Sequence, residues 1–394
     1  MLSEKPMMNK KLGYYTVDNQ IFESKIRALI HATNTKKPVR WFFNNDEFET
    51  TNWAVEPNET LNQLYRQRAR QLREKYDYLV LCYSGGSDSN NILEAFIAEG
   101  LVIDEIVTNF IIGATRSIAN QDITSTKAEN HNAEWDLLTK GRMQYIHDKM
   151  PGAKISNFDM SNPILENFHS HLDGSWVLNC REWANPMSTA RYDIIHDISL
   201  RKQFDKSKSV GVILGVDKPP LIIRDGRLFL QFTDTIANIT PLSEHIKSYD
   251  NSTMELFYWS PDSSNILRKQ AWTVLKFLRA NKQYQDLWDR ASKFPGHPLY
   301  NKARTLKESL LRSIVYTTWN KNWFQAEKGT IGWTNINDAW FFEGFKDTLE
   351  HQAWRNGIEY LTKNIAEDFM MLEEDRFKPI TGPSYLIGTL QVPI

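Results

Sequence analysis

Apolar positions change their spacing twice along the chain. From Tyr78 to about Thr235, short apolar runs of strand length alternate with helical stretches, which is how a parallel α/β sheet with both faces covered reads. The runs are YLVLCY (78–83), EIVTNF (105–110), KISNF (154–158) and SVGVILG (209–215). Between them, Ile92, Leu93, Phe96 and Ile97 suit a short helix, and Ala128, Trp135, Leu138 and Ile146 a longer one. PLIIRDGRLFLQF reads as a β-hairpin turning on Asp225-Gly226, a pair that tolerates the positive φ angles of a type I′ turn. Upstream, residues 1–76 read as a mixed, largely helical lead-in ending in LNQLYRQRARQLREK. There Leu61, Leu64, Tyr65 and Leu72 share one helix face, and Arg66, Arg68, Arg70, Arg73 and Lys75 read as a solvated one. From about Ser260 the strands are expected to stop, and helical spacing such as Leu267, Ala271, Val274 and Leu278 takes over. The expected organisation is a lead-in over 1–76, an α/β domain over 77–259 and a helical region over 260–394.

Composition adds limits. With 41% hydrophobic and 12% aromatic residues, the 394-residue chain can bury a sizeable core, and a formal net charge of −1 excludes a uniformly basic nucleic-acid coat protein. The near-neutral total conceals an uneven distribution. Between Ser264 and Gln325, 12 Lys/Arg face 3 Asp/Glu, a local +9, interleaved with Trp272, Tyr284, Trp288, Tyr300, Tyr316, Trp319 and Trp323. Such a stretch is either a docking surface for nucleic acid, with arginines and lysines on phosphates and aromatics under bases, or a helical unit with an aromatic core and a basic surface. The two cysteines, Cys82 and Cys180, are too few for a disulfide framework or a four-thiolate zinc site, so a reducing, cytoplasmic location is expected. Neither a secretory apolar segment nor a membrane-length apolar run occurs, so no membrane partner is expected.

The chemistry concentrates at Ser84-Gly85-Gly86-Ser87-Asp88-Ser89, between the run YLVLCY and a helix starting near Asn90. Two glycines permit a tight turn in which successive N–H groups converge, and the helix N-terminus behind it adds positive potential. This is the pattern of a phosphate cradle. The three serines add hydroxyl donors, and Asp88 is placed to hold a magnesium ion that bridges phosphate oxygens. The loop lacks the G-K-[ST] ending of a Walker A sequence and is not G-x-G-x-x-G, which sets aside those two nucleotide motifs.

In this strand–loop–helix context the SGGSDS stretch resembles the PP-loop, SGGxDS, of the N-type ATP pyrophosphatases. That superfamily, of adenine nucleotide alpha hydrolase-like fold, includes asparagine synthetase, GMP synthetase, tRNA lysidine synthetase and the thiouridine synthetases. The resemblance covers about residues 76–235 and implies a five-stranded parallel nucleotide-binding sheet of HUP/Rossmann-like type. It also implies cleavage of ATP to AMP and pyrophosphate, with Mg²⁺. The chain further resembles PP-loop proteins of large tailed bacteriophages, which implies a host cytoplasm. A second loop, Gly215-Val216-Asp217-Lys218-Pro219, follows the run VGVILG, and in an open parallel sheet it faces the same crevice as Ser84–Ser89. Asparagine synthetase-like enzymes carry a glycine- and acid-containing loop there, which implies Asp217 as a second magnesium ligand beside Asp88, and Lys218 as the group that neutralises the departing pyrophosphate. The alternative is an ordinary strand-end turn. Family topology also implies that Thr108, Asn109 and Phe110 lie against the adenosine.

Arg116, Arg181, Arg191 and Arg224 are candidate anion contacts that nothing local separates from surface arginines. The 9 histidines form neither H-x-x-x-H nor H-E-x-x-H, and the alternating pair His169 and His171 lacks a third ligand. Cys82, inside a strand, reads as a small buried hydrophobe. PP-loop enzymes differ in the nucleophile that follows adenylation, and the scarcity of cysteine argues against the sulfur-transferring and zinc-containing branches. The start Met1-Leu2-Ser3 lacks the catalytic cysteine of a glutaminase domain, so nitrogen is expected from ammonia, an amine or a separate subunit. The expected function is thus an AMP-forming C–N ligase. Asp88 and Lys218 are its catalytic groups, and Ser84, Gly85, Gly86, Ser87, Ser89 and Gly215 complete the nucleotide site. The acceptor is unidentified. The competing expectations are a PP-loop enzyme acting on a tRNA or other nucleic acid through residues 264–325, and a non-catalytic ATP-binding protein.

Overall fold

The computed structural model describes residues 10–113, 124–125, 130–181, 184–189, 208–234, 252–293, 298–320, 330–331, 334–335, 338–371 and 376–391. Its strands are β1 (Tyr14–Val17), β2 (Gln20–Phe22), β3 (Arg40–Phe42), β4 (Tyr78–Cys82), β5 (Glu105–Phe110), β6 (Lys154–Asp159), β7 (Val210–Leu214), β8 (Leu221–Arg224), β9 (Arg227–Thr233) and β10 (Ser252–Leu256). Two-residue strands β11 (Thr330–Ile331), β12 (Thr334–Asn335), β13 (Met370–Met371) and β14 (Arg376–Phe377) follow, and then the long β15 (Thr381–Thr389). The principal helices are α1 (Lys25–Thr35), α2 (Leu61–Lys75), α3 (Ser87–Ala98), α4 (Lys140–Lys149), α5 (Ser161–Ser170), α6 (Ser264–Ala280), α7 (Gln283–Lys293), α8 (Pro298–Val315) and α9 (Leu349–Asn364).

The protein is α/β, built on a five-stranded, all-parallel sheet in the order β10-β7-β4-β5-β6. Both faces are covered, which explains the continuous apolar runs. Leu79 and Leu81 of β4 enter a core with Ile106, Ile213 and buried residues of α2, α3 and α6. Val80, with Val107, Val210 and Val212, enters a second core with residues of α1, α5 and α9. Four of the five strands coincide with the runs read from the sequence. The fifth, β10, reads STMEL, and its first three residues are only half-buried at the sheet edge, so it carries no apolar signature. Since β5 lies on one side of β4 and β7 on the other, the winding reverses at β4. In such sheets ligands bind outside the carboxyl ends of the strands at that point.

The hairpin expected on Asp225-Gly226 forms as β8 and β9, with φ of 49° and 68° at the two turn residues. The expectation that strands end near Ser260 needs correction. β15 pairs antiparallel with β9, giving the three-stranded sheet β15-β9-β8, so the chain's last strand completes a sheet that starts at residue 221. Its run TGPSYLIGT contains two glycines and a proline and two register shifts, which obscures the alternation of a strand. The lead-in likewise holds an unanticipated antiparallel sheet, β2-β1-β3.

Helix α2 forms as expected behind a capping box of Thr60 and Gln63. Its basic face is only partly solvated: Arg66, Arg70 and Lys75 are exposed, whereas Arg73 is half-buried and Arg68 buried, and all five are paired. Arg68 is buried against Glu255 at 2.8 Å, Lys75 reaches the same carboxylate at 2.7 Å, and Arg73 meets Asp104 at 2.6 Å. Arg66 and Arg70 both pair with Glu99. These residues bind the lead-in to the α/β sheet. In the basic stretch, Trp272, Tyr284 and Trp319 pack on the core, Trp288 and Tyr316 are fully enclosed, and Lys269 and Lys276 converge on Glu56. Of the residues read there, Lys321 and Trp323 lie outside the described residues, as do the side chains of Lys293, Tyr300, Lys302 and Arg304. Among the described residues, no helix is long and apolar enough to cross a membrane.

Candidate functional site

The Ser84–Ser89 loop leaves the carboxyl end of the central strand. Tyr83 N–H still bonds to Val107 O at 2.7 Å, after which Gly85 turns the chain at φ +78°. A Cβ on Gly85 would lie 2.4 Å from Thr139 Oγ1, so both conformation and space demand glycine there. The turn is held from within: Ser84 N–H donates to Ser89 Oγ (3.3 Å), Gly86 N–H to Ser84 Oγ (3.3 Å), and Ser89 Oγ–H to Gly86 O (3.3 Å). Thr139 braces it from outside, donating to Ser84 O at 2.8 Å. Gly86 is the N-cap of α3 and has no side chain to accept from the first turn, which leaves helix N–H groups facing the mouth of the loop.

The loop after β7 lies against it. A Cβ on Gly215 would come within 3.0 Å of Ser89 N and 3.3 Å of the Asp88 carbonyl carbon, so the two loops touch backbone to backbone. That contact brings the charged residues together. Lys218 Nζ lies 3.0 and 2.9 Å from the two carboxylate oxygens of Asp88 and 2.9 Å from Asp217 Oδ1. The Lys218 side chain is 8% exposed, Asp88 22% and Asp217 55%, so the pair opens outward on the Asp217 side. Burial alone would lower the Lys218 ammonium, but the carboxylates of Asp217 and Asp88 outweigh it and hold the group above its ordinary value. Burial would raise Asp217, and the Lys218 charge again prevails, leaving that carboxyl below the usual range. Lys218 and Asp217 are therefore both charged near neutrality.

Two tyrosines that sequence reasoning missed complete the shell. Tyr316, just after α8, donates to Asp88 Oδ1 at 2.5 Å. Tyr258, just after β10, donates to Asp88 O at 2.8 Å and accepts from Asn91 Nδ2 at 2.9 Å. Burial, followed by the Asp88 charge for Tyr316 and by Tyr65 and Asp88 for Tyr258, pushes both phenols well above 10, so each stays a neutral donor. Trp259 Nε1–H fixes the second loop by donating to Asp217 O at 2.9 Å. A faint sequence signal existed for Tyr316: Glu308, Arg312 and Tyr316 form a polar stripe at helical spacing beside the buried Leu311 and Val315.

The remaining candidates divide. Thr108 is fully buried and donates to Asn157 Oδ1 at 2.6 Å, which commits its hydroxyl to the β5–β6 pairing. Asn109 and Phe110 are half-buried at the carboxyl end of β5, and the Phe110 ring lies 5.3 Å from that of Trp135. Arg181 is buried and donates to the carbonyls of Leu12, Gly13 and Glu23, a structural tie to the lead-in. Arg224 sits at the hairpin tip over the Phe229 ring. Arg116 and Arg191 lie outside the described residues. Burial pushes the Cys82 thiol up to about 12, and Cys180 is buried with its Sγ 3.8 Å from Trp176 O, so neither is an activated nucleophile.

No group of three or more His, Cys, Asp or Glu side chains that could hold a metal ion occurs among the described residues. A magnesium site completed by substrate phosphates and water requires only one or two carboxylates. Asp88 and Asp217 meet that need, since both already reach one cationic centre at Lys218 Nζ. Neither a protein-family model nor a curated protein matches the chain.

Proposed function

We propose that the protein is an ATP-dependent, AMP-forming ligase of PP-loop type. The observation that carries this reading is the convergence of the SGGSDS loop with the Asp217-Lys218 loop beyond the carboxyl ends of β4 and β7. A glycine turn opening onto a helix N-terminus, two carboxylates and one lysine within 3.0 Å form a set suited to a polyphosphate and its metal.

In the first step an oxygen of the acceptor, carboxylate or carbonyl, attacks the α-phosphorus of ATP. The bond to the α,β-bridging oxygen breaks and pyrophosphate leaves. Ammonia or an amine then attacks the adenylated carbon, the C–O bond to AMP breaks, and nitrogen gives up a proton to solvent. The chain contributes position and charge. The N–H groups and hydroxyls of Ser84–Ser89 bind the β- and γ-phosphates, and Lys218 neutralises the leaving pyrophosphate. Tyr316 and Tyr258 fix Asp88 from the side chain and the backbone. Magnesium, when held by Asp88 and Asp217, supplies further neutralisation of the phosphate oxygens.

A nucleic-acid acceptor receives less support, because the described aromatic residues of 264–325 are packed rather than presented for stacking. The test is ATP–pyrophosphate exchange with Mg²⁺ across metabolite and nucleic-acid fractions. Exchange that yields AMP and pyrophosphate and disappears in Asp88→Ala is expected, whereas ADP and phosphate as products would overturn the reading.

A further inference from the structure

The stripe of α8 that ends at Tyr316 carries a second cation. Tyr316 N–H bonds to Arg312 O at 2.9 Å, so the helical path runs through both residues, and their side chains share one face. Tyr316 reaches Asp88, which turns this face toward the Ser84–Ser89 loop. The Arg312 side chain is half-buried and its Nε is enclosed with no hydrogen-bond partner. No hydrogen bond or ion pair of the described residues uses its guanidinium. Its charge bears on both Asp217 and Lys218, in keeping with the side of the helix that Tyr316 turns toward the loop.

An enclosed guanidinium nitrogen without an acceptor is costly, and such groups are rare unless something else fills the gap. Lys218, the other cation here, is held by two carboxylates, so the trio Lys218, Asp88 and Asp217 has a net charge of −1 and repels an incoming polyphosphate. A planar fork with free donors, set on the helix that closes this loop, matches a phosphate in two-pronged fashion. We propose that Arg312 is a catalytic residue supplied by the C-terminal helical region, and that it contacts the pyrophosphate half of the nucleotide opposite Lys218. This assignment rests on the ligase reading and adds that the PP-loop sheet alone is an incomplete site.

The test is calorimetric binding of two probes to the full chain in the presence of Mg²⁺, inorganic pyrophosphate and AMP. Arg312→Gln is expected to weaken pyrophosphate binding roughly tenfold to a hundredfold, as loss of charged hydrogen bonds does, while AMP binding is unchanged. Arg312→Lys keeps the charge without the fork, gives a smaller loss, and carries the test if the glutamine variant does not fold. Wild-type pyrophosphate affinity in both variants overturns the assignment and leaves the ligase reading intact. Equal losses for pyrophosphate and AMP overturn it too, because they reveal a merely structural arginine. A wild-type chain that binds neither probe nor ATP overturns the ligase reading, and this assignment with it.

Discussion

Lys218 Nζ sits 3.0 and 2.9 Å from the two carboxylate oxygens of Asp88, and so fills the centre to which both acidic side chains of the site point. The ammonium acts as an internal counter-ion in the place a metal ion would share. On the proposed ligase reading, a polyphosphate that draws Lys218 away would free the two carboxylates and so couple metal binding to nucleotide binding.

Manganese binding, followed by electron paramagnetic resonance, gives a first check. Wild-type protein is expected to take up little Mn²⁺ alone and much more with a non-hydrolysable ATP analogue. Lys218→Met removes a positive charge about 3 Å from the carboxylates and should raise affinity for Mn²⁺ alone about tenfold or more. Equal Mn²⁺ affinity in the two proteins without nucleotide would refute the counter-ion role.

Tyr316 donates to Asp88 at 2.5 Å, and its ring is fully buried. Tyr316→Phe retains the ring and removes the donor, so urea unfolding should register a loss of about 1.5 kcal/mol, the scale of a hydrogen bond to a charged group. Exchange activity should fall as well, since Asp88 then has one fewer restraint. An unchanged unfolding midpoint would show that the hydroxyl contributes nothing.

Gly85 is constrained twice, by φ +78° and by Thr139 Oγ1 at 2.4 Å from a would-be Cβ. Gly85→Ala is expected to destabilise the fold by about 2 kcal/mol through positive-φ strain and steric conflict. Adding Thr139→Ala removes the obstructing oxygen but leaves the φ strain. A double-mutant cycle should therefore show a partial, favourable coupling, and strict additivity would argue that the contact is absent.

Glu255 supports a pH prediction. Burial raises its carboxyl, but Lys75, Tyr76 and Arg68 together hold it below the ordinary 4.5. A carboxyl depressed on folding stabilises the folded state above its unfolded pKa, and that contribution is lost as pH falls through the folded value. Melting curves should accordingly be flat from neutrality to about pH 5 on this account and drop below 4.5. Glu255→Gln leaves Arg68 buried without its counter-charge, should cost about 3 kcal/mol at pH 7, and should show a shallower acid limb. An identical acid limb in the variant would assign the loss to other groups.

The sequence disclosed those parts of the molecule that rest on local rules. Buried strands β4, β5 and β7 announced themselves by apolar runs, the partly exposed edge strand β6 by the shorter KISNF, and the Asp225-Gly226 turn by its positive-φ residues. The approach of Asp217 to Asp88 was inferable only from the topological rule for strand ends. What stayed hidden depends on distant partners. β10 and β15 are recognisable as strands only once β7 and β9 lie beside them. Arg68 looks like a surface residue until Glu255, 187 positions later, meets it. Tyr258 and Tyr316 reach the site because a strand end and a helix end pack there, and the faint polar stripe of Glu308, Arg312 and Tyr316 is the one local hint of either.

The pairing of β15 with β9 also bears on how the molecule comes into being. The hairpin β8–β9 begins three residues after Lys218, and its outer edge stays bare until Thr381–Thr389 has been synthesised. During translation the second loop of the site hangs from an unfinished sheet whose Leu228, Leu230 and Phe232 are bound for the core. An exposed strand edge of that kind invites pairing with other chains. A nascent polypeptide is therefore most vulnerable to misassembly until Thr381–Thr389 has emerged, and a truncation within that strand would leave the sheet unfinished although every residue that lines the site had already been made.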